Sequence, residues 1–256
     1  MNVLIVAKTR QGSRACIGAI DLADGRSLRL IAADAEHNDQ AGMEYEIGQV
    51  WEIDGRPPAT VTPPHTENVV VYGKRRLATQ VDLIDAISAH MPPVTGGPES
   101  LYGGLLQHTA RGSLYIAART GVPDYSTTFW IPDRPLTRVV DPDHVRIRYR
   151  YLAPDECGPG RTLTFVGFQE PPEEIPAGAL LRVSLAHWWR PDDEPGWEER
   201  CFGQLSGWFE MAPPSTDNSA TRAPHMEGIA MAPLPPEAHA TLKRVFGYDS
   251  FYPLQE

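Results

Sequence analysis

Apolar positions along this chain fall in short runs and period-two alternations, the pattern of strands. Residues 3–7 are continuously apolar and read as a buried strand. Basic and polar residues at 8–14 break the run, and residues 15–21 read as a second strand. Asp24-Gly25 marks a hairpin, because both residues tolerate positive φ. In a third strand, 27–31, Leu28 and Leu30 share one face and Arg29 takes the other. Residues 45–53 alternate, with Ile47, Gln49, Trp51 and Ile53 on one side, and 69–72 is a fifth strand ended by Gly73. Five short strands predict a small β-barrel. Leu77, Val81, Ile84 and Ile87 then recur at helical spacing, which predicts a helix over 76–90 stopped by Pro92-Pro93. Residues 94–106 are glycine-rich and read as a loop with a helical turn.

A second β region follows, with strands expected at 114–119, 127–131, 136–140, 145–152, 162–168, 179–185 and 201–209. The segment 145–151 alternates strictly. It puts Arg146, Arg148 and Arg150 on one face and Val145, Ile147, Tyr149 and Tyr151 on the other. Three guanidinium groups in a row repel unless something anionic lies among them. A phosphate backbone is one candidate. The acids abundant in 170–199 are the other. Trp130, near Arg119 and Arg134, is a candidate for stacking on a base. Trp188, Trp189 and Trp197 flank the acidic stretch Asp192-Asp193-Glu194, which would repel phosphate, so core or rim packing is the simpler reading there. Residues 211–235, rich in Pro, Ala, Ser and Thr, read as a flexible linker. Pro235-Pro236 then opens a short helix at 237–246.

The formal net charge of −10 argues against a uniformly nucleic-acid-binding surface. The distribution is uneven: residues 107–150 hold seven Arg and four Asp, while 151–210 hold four Arg against eleven acids. That allows a basic face on an acidic body. Twenty of the 23 basic residues are Arg, the better bidentate and stacking partner for phosphate and bases. Cys16, Cys157 and Cys201 lie far apart with no metal-ligand spacing; Cys16 and Cys201 read as small core residues, and a reducing cytoplasm fits. No leader pattern and no membrane-spanning run is evident. No G-x-x-x-x-G-K-[ST] loop occurs, so ATP hydrolysis by that route is not expected. His65 with Glu67, or His187 with Asp192, could be written as acid–base pairs, but neither has a nucleophile in a recognisable setting. The chain is expected to be a non-enzymatic binding protein without metal or cofactor.

Several blocks resemble a known family. Lys8-x-Arg10, then Cys16-Ile17-Gly18-Ala19-Ile20-Asp21, then Gly25-x-Ser27-Leu28-Arg29-Leu30 look like the start of the bacterial dual-OB domain, and Pro63–Glu67 and Arg200–Trp208 fit it too. The resemblance implies a mainly β fold of two tandem OB-like barrels with a connecting helix, a flexible linker and a short C-terminal helix. The expected division is 1–106 for the first barrel with its helix, 107–210 for the second, 211–235 for the linker and 236–256 for the tail. The tail resembles the motif 0 segment of RecQ-type helicases. There Tyr248 and Gln255 match the residues that stack on and pair with the adenine of ATP, while Tyr252 stands where that family has a basic residue. Together these likenesses imply a single-stranded nucleic acid, DNA by preference, as ligand. They also imply a helicase domain as partner, in cis or in trans, in DNA repair or defence against foreign DNA. The cationic groups expected to serve are Lys8, Arg10, Arg29, Arg111, Arg119 and the Arg146/Arg148/Arg150 row, with Trp130 for stacking. The alternative is a protein-interaction adaptor that docks a partner through its acidic surface and aromatic tail.

Overall fold

The amino-terminal sheet is built from β1 (Asn2–Gln11), β2 (Arg14–Asp21), β3 (Ser27–Ala32), β4 (Asn38–Asp39), β5 (Gln49–Arg56) and β6 (Asn68–Thr79). The structure, a computed structural model, describes residues 1–11, 14–33, 38–39, 44–79, 82–140, 146–153, 158–193 and 196–209. The expected linker, the expected tail helix, Tyr248, Gln255 and Cys157 lie outside the described residues.

Strand order is β1-β5-β6-β3-β2, and β2 pairs back onto β1, closing a five-stranded barrel. β3 and β6 run parallel; the other barrel pairs are antiparallel. The interior is filled by Val3, Ile5, Ile17, Leu28, Leu30, Trp51 and Ile53, the period-two sets of the sequence pattern. The continuous run at 3–7 has a second cause. Leu4 and Val6 face away from this interior into another cluster, with Ile87, Phe129, Leu180 and Phe209. β1 is therefore apolar on both faces because both are covered. The Asp24-Gly25 turn forms as expected: Gly25 has φ +75° and lies against the carbonyl of His90, where a side chain would not fit.

Two expectations fail at the end of this barrel. Gly73 does not end the fifth strand; it sits opposite Asp54 beside a bulge, and β6 continues to pair Thr79 with Gln49. The helix α1 accordingly spans Leu83–His90 rather than beginning at Arg76. Leu77, which completed the helical spacing, is an exposed strand residue. Only Ile87 of α1 is fully buried, and it anchors the helix between the sheets.

The carboxy-terminal sheet contains β7 (Val94–Gly96), β8 (Gln107–His108), β9 (Leu114–Ala117), β10 (Thr127–Pro132), β11 (Leu136–Val140), β12 (Ile147–Tyr151), β13 (Arg161–Phe165), β14 (Glu174–Ile175), β15 (Leu180–Leu185) and β16 (Arg200–Phe209). A 3-10 segment, Pro98–Gly104, fills the expected turn after β7. β11-β12-β13-β16-β15-β10 follow in order, with β13 parallel to β16. β10 and β11 are the two halves of one strand interrupted at residues 133–135. One half pairs with β15 and the other with β12. Read across that interruption, the strand order is that of the first barrel, including the parallel pair between third and fifth strands. Trp130, Tyr149, Tyr151, Leu163, Leu181 and Val183 fill its interior. Among the described residues, no helix is long and apolar enough to cross a membrane.

Candidate nucleic-acid interface

The outer faces of the second and third strands of both barrels border one cleft of about 1670 Å³. From the first barrel come Cys16 and Gly18 of β2 and Arg29 of β3; from the second come Arg148 of β12 and Thr162 and Thr164 of β13. In a small barrel, whatever alternates with the core residues is presented outward. Arg29 lies between buried Leu28 and Leu30, and Arg148 precedes buried Tyr149.

Arg10, Arg29, Arg111, Arg146 and Arg148 all line this cleft, so five of the arginines picked out from the sequence converge. Lys8 is close by: its ammonium and the Arg10 guanidinium lie 5.8 and 5.0 Å from the ring centre of Phe168. Burial lowers the Lys8 pKa, an effect partly offset by Glu46. Among the described residues, the positions opposite Arg148 and Arg150 on the neighbouring strands carry no acid. Arg148 stands opposite Thr164 and Val139, and Arg150 opposite Thr162 and Thr137. Arg148 Nη1 donates to Ser113 Oγ at 2.8 Å. Arg29 donates to His187 Nε2 at 3.0 Å and to Cys16 Sγ at 3.4 Å. These contacts orient the guanidinium groups. Among the described lining residues, Glu170 is the one carboxylate. Cys16 is half-buried on this wall rather than a core residue, whereas Cys201 is buried and its thiol is pushed up to about 12 by burial.

Three expected residues are elsewhere. Arg119 is exposed and pairs with Glu198 at 3.0 Å. Arg150 is half-buried outside the cleft lining, and its Nε has no hydrogen-bond partner among the described residues. Trp130 is 0 % exposed and donates its indole N–H to the Gly96 carbonyl, so it is a core residue and no base can reach its face. It falls on the inward face of β10, the position that alternation assigns to the core.

Exposed aromatic faces lie beside the acidic stretch. Trp189 and Trp197 are 54 % and 47 % exposed and both line the cleft. Arg200 is held over Tyr115 at 4.2 Å and over Trp197 at 5.3 Å from the ring centres. Trp189 packs on Phe202 with ring centres 6.1 Å apart. Reciprocal backbone hydrogen bonds between Trp189 and Arg200 fix the two sides of this aromatic end. Stacking on large aromatic faces and on guanidinium planes is how single-stranded bases are held without sequence preference. The sequence does not mark Arg200 or Arg182 as a binding group; Arg200 stands there only as the start of the Arg200–Trp208 block. For Arg182, a lone cation inside the apolar run Leu180–Leu185 was the available signal.

The two walls are locked by the Pro63–Glu67 segment, which contains a cis Pro63–Pro64 bond. Glu67 accepts from the backbone N–H groups of Ser126 and Thr127 and from the Ser126 hydroxyl. Thr66 Oγ1 donates to the Asp124 carbonyl, and the Trp188 indole donates to the Pro63 carbonyl. His65 Nε2 donates to the Leu185 carbonyl at 3.1 Å, and its ring stacks on His187 at 4.5 Å. Burial pushes the His65 pKa below its ordinary value, so the ring is neutral at neutral pH. His65 and Glu67 are thus occupied by bonds that hold the barrels together, and their geometry is that of a strap rather than an acid–base pair. A second direct seam joins Arg10 N–H to the Val166 carbonyl and pairs Ser27 Oγ with Thr127 Oγ1.

No curated protein and no solved structure matches the chain significantly. The model of one family, described as the dual OB-containing domain (DuOB), matches residues 1–208, which includes both barrels and every element of the cleft. The chain therefore belongs to the dual OB-containing domain family.

Proposed function

We propose that this protein binds a single-stranded nucleic acid, DNA by preference, in the cleft between its barrels. The observation that carries the reading is the composition of that cleft. Seven arginines and one carboxylate line it among the described residues, on a chain of net charge −10. A cationic groove with aromatic faces at one end suits a flexible strand, whose phosphates follow the arginines while its bases stack. The second- and third-strand faces of OB barrels are where oligonucleotides are commonly bound, and here both barrels turn those faces to one space.

The test is fluorescence anisotropy with a labelled single-stranded oligonucleotide of about 16 nucleotides. Neutralising about five phosphates should weaken binding about 100-fold between 50 and 200 mM salt. Absence of salt-sensitive binding at micromolar protein would overturn the proposal. The likeness of the tail to motif 0 adds a helicase domain as the partner that the bound strand serves, in repair or defence. Truncation at Pro235 should then abolish association with that helicase and leave oligonucleotide affinity intact. An adaptor role would be favoured instead if association is lost with the tail and the full chain binds no oligonucleotide.

A further inference from the structure

At the junction of the two barrels one cationic side chain is buried with no carboxylate in contact with it among the described residues. Arg182 is 4 % exposed, yet its side chain forms part of the cleft wall. It projects from β15 across the junction to β2 of the other barrel. There a Cβ on Gly18 would lie 2.6 Å from its Nη2 and 2.8 Å from its Cζ. Gly18 thus provides the flat backbone surface on which the guanidinium rests. Among the described residues no carboxylate comes within ion-pairing distance of it. Glu67 attracts it electrostatically from beyond contact distance, and the hydrogen bonds of that carboxylate go to Ser126 and Thr127 rather than to the guanidinium. Burial lowers the Arg182 pKa to about 10, which still leaves it charged at neutral pH.

A buried cation with no anion in direct contact is unfavourable in the free protein, and a well-packed apolar residue of similar size is often as stable or more stable. A ligand that brings an oxyanion into direct contact with the guanidinium turns that penalty into affinity and fixes its own position. We infer that Arg182, backed by Gly18, is the fixed cation of a single-oxyanion subsite on the wall of the cleft, built for one phosphate group of the bound strand. The identity of the phosphate as a strand phosphodiester rests on the function proposed above; the requirement for an oxyanion does not. The other cleft arginines then track the strand loosely, while Arg182 sets its register.

The experiment has two arms on the full chain and on Arg182→Met, with Gly18→Ala as a second variant that displaces the guanidinium while keeping Arg182. In the first arm, thermal unfolding is followed in inorganic phosphate against chloride of equal ionic strength. Phosphate should raise the melting temperature of the wild type and leave that of either folded variant unmoved. Equal shifts in wild type and variants, or no shift in the wild type, would overturn the inference. In the second arm, oligonucleotides carrying one methylphosphonate at successive linkages are titrated. One position should cost the wild type about 30-fold and cost Arg182→Met nothing. If Arg182→Met binds the unmodified strand as tightly as the wild type does, the subsite fails and the cleft proposal stands. If phosphate stabilises the wild type through Arg182 but no strand binds, the subsite stands for a free phosphate compound and the cleft proposal fails.

Discussion

The carboxylate of Glu67, just ahead of β6 of the first barrel, accepts two hydrogen bonds from Ser126 of the second, one from its backbone N–H and one from its hydroxyl. A third comes from the Thr127 N–H. These are charge-assisted bonds to the edge of β10, and they fix the two cleft walls relative to each other. The cleft thus depends on a short strap as much as on the apolar cluster of Leu4, Ile87 and Phe129 behind it.

Glu67→Ala should destabilise the protein by about 2 kcal/mol, because it strips the acceptor from donors at the start of β10. Glu67→Gln retains one acceptor oxygen and should cost about half as much. Equilibrium urea unfolding measures both, and equal stability of Glu67→Ala and wild type would show that the strap contributes nothing.

Stability should also depend on pH through His65. Its pKa in the folded state lies below the ordinary 6.5 because the ring is buried. The unfolded chain therefore takes up a proton near 6.5 while the folded chain does not. The contribution is complete above 6.5, is lost as pH falls from there to the lowered folded value, and is constant below it. Its slope cannot exceed about 1.4 kcal/mol per pH unit. The difference in unfolding free energy between wild type and His65→Gln, measured from pH 7.5 to about 5, isolates this part. A difference independent of pH would contradict it.

Trp197→Ala and Trp189→Ala should each weaken oligonucleotide binding by about 1–3 kcal/mol, with small effects on stability, since both rings are half exposed. Trp130→Ala is the opposite case. Removal of a fully buried indole that also bonds to Gly96 should cost about 3–5 kcal/mol of stability. Anisotropy and urea unfolding on the three variants separate the two classes.

Arg111 and Arg146 are exposed on the cleft rim. Alanine at either should leave stability within about 0.5 kcal/mol. It should also reduce the slope of log affinity against log salt by about 0.7, the signature of one lost phosphate contact on a single strand. A loss of affinity with an unchanged slope would mean that these side chains act otherwise than through phosphate.

Much of this architecture is legible in the sequence because the barrels are built by alternation. Leu28 and Leu30 point inward and Arg29 outward in the structure as in the pattern. The same rule turns Arg148 away from the core that holds Tyr149 and Tyr151. It misleads where tertiary pairing overrides local spacing. Leu77 joins a helical series in the sequence, yet it belongs to β6, because β5 offers a partner as far as Gln49. The aromatic end of the cleft was hidden for another reason. Residues 189, 197 and 200 are brought together by a backbone pair across an acidic loop, and the local sequence does not show that Arg200 returns to lie over the Trp197 ring. Trp130 shows the converse, since cations nearby in sequence say nothing about which side of a strand an indole occupies. Arg182 was obscured because a single cation in an apolar run reads as an interruption of a core strand, and only the neighbouring barrel shows what it faces.

The account stands most directly on where a bound strand touches the protein. An oligonucleotide carrying 5-iodouracil at successive positions can be photocrosslinked to the full chain and the adducts mapped by mass spectrometry. Adducts on Trp189, Trp197, Tyr115 or Phe202, lost at raised salt, are the predicted result. Adducts confined to residues 210–256, or to surfaces remote from the two barrels' shared cleft, would contradict it.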